Sequence, residues 1–170
     1  TQKPSSAASD VYKRQKYDSE YKKEVRKYIN GLFDYRSRLL VIRIDLSYRK
    51  GLFRKITTNI SNKPLSKQGH KLEALKAWSL DVQEHRKVLL KSLKKQYSKG
   101  FIGYMWKLEY TEIKSFHFHM MFFLDGSEHR EDITIAQDIG ELWNNEITQG
   151  DGLYWNCLLY TSPSPRDAQL

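Results

Sequence analysis

The chain has 170 residues with a formal net charge of +9, 39% hydrophobic and 13% aromatic residues, and a single cysteine. No stretch approaches the roughly eighteen apolar residues of a transmembrane span, and one cysteine excludes both a disulfide framework and a thiolate zinc site. A basic, aromatic-rich balance points to a cytoplasmic protein with an anionic partner, most simply nucleic acid.

The two ends read differently from the rest. SSAASDVYKRQ (Ser5 to Gln15) reads in frame as a translated transposase-type sequencing adaptor. CLLYTSPSPRD (Cys157 to Asp167) reads as the inverted transposon end followed by the partner adaptor. Residues 1–15 and 157–170 are therefore expected to be non-native tails that pack nowhere, and residues 16–156 to be one domain, cut at both ends. The tails carry Lys3, Lys13, Arg14 and Arg166 against Asp10 and Asp167, so the insert keeps +7 of the charge. Cys157 falls in a tail, which leaves the insert without cysteine.

In chain order, KYDSEYKKEVRKYINGLFDYRSR (16–38) places Tyr21, Val25, Tyr28, Ile29, Leu32 and Phe33 at helical spacing, an amphipathic helix ending near Gly31. LLVIRIDLSY (39–48) alternates, with Leu40, Ile42, Ile44 and Leu46 on one face and Val41, Arg43, Asp45 and Ser47 on the other, which is a strand. RKGLFRKITTNISNKPLS (49–66) is basic and turn-rich and reads as a long loop that includes Arg54 and Lys55. From about Ser66 to Ser98, Leu72, Leu75, Trp78, Val82, Leu89 and Leu93 keep helical spacing, with Gly100 as a stop.

FIGYMWKLEY and SFHFHMMFFL then form two strands joined by TEIK, a hairpin. EDITIAQDIGELWNNE opens a helix with Asp132 or Thr134 as cap and Ile135, Ile139, Leu142 and Trp143 inward, and GDGLYW turns into a last strand. The order α-β-(loop)-α-β-β-α-(β) gives an α+β fold, an antiparallel sheet with helices packed mainly on one face. Trp78 and Trp143 are expected in the core, and His70, His85 and His129 at the surface.

The chemistry sits on the second hairpin strand. His117 and His119 share one face of it, about 7 Å apart, and imidazoles at that spacing can converge on one divalent cation. If the hairpin loop has three or five residues, Glu109 lies opposite His117 and Lys107 opposite His119, with Trp106 and Leu108 beside Phe116 and Phe118. One face then becomes apolar and the other carries Lys107, Glu109, His117 and His119; a one-residue slip would bury charges. A His-His-carboxylate set with open positions suits Mg²⁺, Mn²⁺ or Zn²⁺. The same pattern is also what the polar face of a half-buried sheet looks like, so both readings stand. Arg43 and Asp45 read as further site residues or, more simply, as a solvated ion pair.

His-Phe-His on an apolar strand, with a Glu eight residues earlier on its neighbour, resembles the HUH endonuclease signature of rolling-circle replication nucleases. More narrowly, GYMWKLEYTEIKSFHFHMMFFLDG followed by IAQDIGELWNN resembles the YagK/YfjJ C-terminal domain family, the inovirus-type replication proteins of filamentous phages and prophages. The resemblance covers about Leu39 to Trp155. It implies His117 and His119 as metal ligands, Glu109 as the third, and Mg²⁺ or Mn²⁺ as the metal. It also implies single-stranded DNA at a replication origin as partner, no small-molecule cofactor, and a tyrosine that attacks a phosphodiester from a segment beyond Asn156. Arg43, Arg54, Lys55 and Lys107 are the expected DNA contacts. On this reading the chain binds metal and DNA without cutting. The competing expectations are a non-catalytic nucleic-acid-binding or regulatory domain of a mobile element, and a metal-free structural domain.

Overall fold

The computed structural model describes residues 6–50, 52, 67–111 and 114–160. The chain divides into two units, Thr1–Leu39 and Leu40–Leu170. The first holds helix α1, Ser6–Tyr35. It runs four residues past Gly31, the stop expected from sequence. An added Cβ on Gly31 would meet nothing within 4 Å, so this glycine serves no close approach. A single glycine costs a helix only about 1 kcal/mol, too little to end one by itself.

The second unit follows the expected element order: β1 (Leu39–Tyr48), α2 (Lys67–Gln96), β2 (Phe101–Thr111), β3 (Ser115–Asp125), α3 (Asp132–Leu142) and β4 (Gly152–Asn156). A π-helical turn, Trp143–Ile147, extends α3, and a 3₁₀ turn, Cys157–Tyr160, follows β4. The four strands form one antiparallel sheet in the order β2-β3-β1-β4. Among the described residues no helix is long and apolar enough to cross a membrane.

Alternation decides which face is covered. Ile42, Ile44 and Leu46 of β1 and Phe118, Met120 and Phe122 of β3 are buried in one cluster with Trp78, Val82, Leu89 and Leu93 of α2 and Ile135, Ala136 and Ile139 of α3. Both helices thus pack on the same side of the sheet. Fully burying side chains of this size stabilises by about 1.5–3 kcal/mol each. Trp143 is wholly buried and its indole N–H donates to the Ser47 carbonyl at 3.0 Å, tying the end of α3 to β1. Trp78 is buried as well, so both tryptophans lie in the core as their spacing indicates. Leu72, expected inward, is 55% exposed near the start of α2.

Two histidines expected at the surface are part of the packing. His85 on α2 is half-buried, with Nδ1 2.9 Å from the buried Tyr48 hydroxyl and its ring against Trp143. Desolvation there holds its imidazole below the ordinary value of 6.5. His129 packs edge-on to Tyr97 at 5.4 Å, and a Cβ on Gly100 would come within 2.6 Å of the His129 ring. Of the segments expected to be tails, Ser6–Gln15 continue α1, and Leu158 packs on the core while Leu159 is exposed.

Candidate metal centre

The face opposite the helices α2 and α3 carries the odd-numbered positions of β1 and β4, of β3 around His117 and His119, and of β2 beyond the irregularity at Phe101 and Gly103. The hairpin places them: Glu109 pairs with His117 and Lys107 with His119, as the binary pattern requires, and a three-residue connection separates the strands. On the apolar side Leu108 pairs with Phe118, but Trp106 pairs with Met120 and Tyr110 with Phe116. Trp106 lies beside Phe118 as expected, its ring meeting that phenylalanine edge-on at 6.0 Å.

Glu109, His117 and His119 each offer a ligand atom, and these atoms lie within 4.8 Å of one another. Both imidazole Nε2 atoms converge on a single carboxylate oxygen, Glu109 Oε2, at 3.1 Å for His117 and 3.3 Å for His119. The outward nitrogens are also engaged: His117 Nδ1 lies 3.3 Å from the Ser115 carbonyl, and His119 Nδ1 lies 2.9 Å from Asp45 Oδ1. Ser115 takes a left-handed φ of 61° at the exit of the hairpin turn. His117 is only 8% exposed.

The donor arithmetic bears on what this group can hold. A neutral imidazole has one N–H, so two neutral rings supply two protons for four oxygen contacts. Making all four without a cation requires two imidazolium rings. With a divalent cation among Glu109 and the two Nε2 atoms, neutral rings suffice, and their Nδ1 protons go to Ser115 and Asp45. Outer carbonyl or carboxylate partners of this kind fix the tautomer and aim the inner nitrogen. The Glu109, His117 and His119 group can therefore hold a metal ion.

Lys107 donates to the other Glu109 oxygen, Oε1. That bond, and then the one from His119, push the Glu109 carboxyl down to about 2, so it is ionised throughout the physiological range. Of the two readings that the sequence leaves for Asp45, further site residue or solvated ion pair with Arg43, its contact with His119 agrees with the first. Nothing in the alternation of β1 reveals this, because it depends on β1 lying beside β3. Arg43 is exposed on the same face as Asp45, and Lys107 is exposed beside the centre. Arg54 and Lys55 lie outside the described residues.

Tyr48 on β1 and Tyr154 on β4 both belong to the helix side. Tyr48 is buried against Trp78 and Trp143, with its phenol pushed far up by desolvation. Tyr154 pairs with the core residue Leu46, and a Cβ on Gly140 of α3 would overlap its ring. Gly140 and Trp143, which stand out in the sequence as Gly-Glu-Leu-Trp, thus serve packing. No curated protein and no solved structure matches the chain. A family model described as the YagK/YfjJ C-terminal domain matches residues 1–166, and across that span the chain belongs to the YagK/YfjJ C-terminal domain family.

Proposed function

We propose that this domain is the metal-binding core of an HUH-type endonuclease that nicks single-stranded DNA to start rolling-circle replication of a phage or prophage. The observation that carries the proposal is the convergence of His117 Nε2 and His119 Nε2 on Glu109, with both outer nitrogens held by oxygens. Glu109, His117 and His119 would hold Mg²⁺ or Mn²⁺, for which a mixed imidazole and carboxylate set with open positions is suited. Such an ion, when bound, polarises a phosphoryl oxygen as a Lewis acid. Asp45 and the Ser115 carbonyl keep the two rings oriented, and Lys107 and Arg43 offer cations to the phosphates on either side. The setting is the interior of a bacterial cell.

The nucleophile is not among the tyrosines of this sheet. None of the described tyrosine side chains between Leu40 and Leu159 belongs to the face of Glu109. Covalent attack on the phosphodiester therefore needs a nucleophile other than the tyrosines of this sheet. That observation also favours a second reading, a non-catalytic domain that binds single-stranded nucleic acid for regulation.

The test is Mn²⁺-dependent binding of labelled single strands, followed by a denaturing gel for a covalent protein–DNA adduct. Affinity should fall steeply with salt through counterion release and should weaken on chelation or in His119→Ala. Binding indifferent to both changes would leave only the non-catalytic reading. Absence of binding at low salt would reject both.

A further inference from the structure

The edge strand β4 adds a feature that neither metal nor charge requires. Asp45, the residue that orients His119, pairs directly across the β1–β4 ladder with Trp155. Ser47 pairs in the same way with Leu153. Trp155 is 55% exposed and Leu153 is 42% exposed, whereas the other residues of β4 are at least partly buried. The two helical tryptophans, Trp78 and Trp143, turn their rings into the core. Trp155 stands on the polar face, beside the carboxylate that serves the metal ligands.

Directly paired residues have Cβ atoms about 5 Å apart, and neighbouring strands are about 4.8 Å apart. Trp155 on β4 and His119 on β3 are thus two strand spacings apart, about 10 Å. A nucleic-acid strand whose phosphate lies at the Glu109, His117 and His119 group passes β4 within a few nucleotides. Arg43 lies on the same face of β1, two positions from Asp45, and supplies a cation next to that path. The combination of an exposed indole, a neighbouring guanidinium and a phosphate-directed centre is what single-strand binding uses: a flat ring for bases and cations for the backbone.

We infer that Trp155 is a base-stacking platform, on which a nucleobase flanking the phosphate held at the metal centre lies against the indole. The inference rests on the single-stranded DNA reading above and deepens it, since it assigns a substrate-contacting residue with a defined place relative to the metal. Stacking tolerates any base, so Trp155 would fix position along the strand rather than sequence. It is a binding residue and moves no protons.

The experiment is a binding titration of the whole chain, with Mn²⁺ present, against fluorescent single strands in which one nucleotide at a time is abasic. The wild-type chain should lose about tenfold in affinity when the abasic position falls at the platform. Trp155→Ala should lose a similar factor on intact DNA and be insensitive to that abasic position. Trp155→Phe should recover most of the loss, and Mn²⁺ affinity should be unchanged in both variants. Wild-type affinity in Trp155→Ala, or a loss equal at every abasic position, would overturn the platform while leaving the DNA reading intact. Failure of the wild-type chain to bind any strand would overturn the two together.

Discussion

Asp45 and His119 lie on adjacent strands, seventy-four residues apart in sequence, and the Asp45 carboxylate takes the His119 Nδ1 at 2.9 Å. Such a contact can direct the imidazole as a ligand: with the Nδ1 proton held by Asp45, Nε2 would turn its lone pair to a cation bound between it and Glu109. Asp45→Asn keeps an oxygen in reach but removes the charge from the group that holds Nδ1. Calorimetric titration should find Mn²⁺ affinity lowered by about 10- to 100-fold in Asp45→Asn, with binding lost altogether in His119→Ala. Equal affinity in wild type and Asp45→Asn would remove Asp45 from the centre.

Lys107 plays two opposed parts, and they give opposite signs. On the proposed reading its ammonium would compete with a metal for Glu109 and would also offer a cation to DNA. Lys107→Met should raise the Glu109 carboxyl from about 2 toward its ordinary 4.5, readable by NMR titration of the metal-free protein. The same variant should bind Mn²⁺ more tightly by a few-fold, yet bind single strands more weakly, with a salt slope smaller by about one. Tighter DNA binding in Lys107→Met would show that Lys107 does not contact phosphate.

The candidate metal centre is legible within the hairpin and only partly so outside it. Period-two alternation in β2 and β3 leaves few registers that keep Lys107 and Glu109 off the apolar face, so Glu109 opposite His117 follows from pattern alone. For Asp45 the sequence leaves two readings open, because alternation gives a residue its face but not its neighbour, and the β3–β1 adjacency is a property of the whole sheet. His85 was misjudged for a related reason. Its own helix shows a polar residue between charges, while its partner Tyr48 belongs to the far end of β1. Trp155 went unremarked because a terminal aromatic on a short strand reads as core until its register with Asp45 is known.

The Tyr48–His85 pair predicts a pH dependence. Burial favours neutral His85, so its folded value lies below the unfolded 6.5. The stabilising preference is complete above 6.5. Below that value the unfolded chain takes up a proton that the folded chain refuses, so stability falls as pH drops from 6.5 toward the folded value and then levels. In His85→Gln this part of the decline should vanish. Melting temperatures compared at pH 7.5 and 5.5 test it, and a wild-type decline no larger than that of His85→Gln would count against the pair.

Gly140 and Tyr154 give a prediction whose sign depends on background. In an exposed helix interior, alanine stabilises relative to glycine by about 0.5–1 kcal/mol. At Gly140 the added methyl would overlap the Tyr154 ring, held on β4 opposite Leu46. Overpacking of this kind costs about 1–3 kcal/mol, which exceeds the propensity gain. Gly140→Ala should therefore lower the urea midpoint of the wild-type chain. In a Tyr154→Ala background the obstacle is gone, and the same Gly140→Ala change should raise the midpoint. The double-mutant cycle should show a coupling of about 1–3 kcal/mol, and Mn²⁺ binding should be untouched because both residues belong to the helix side of the sheet. Stabilisation by Gly140→Ala in both backgrounds would mean that α3 and β4 do not approach this closely in solution.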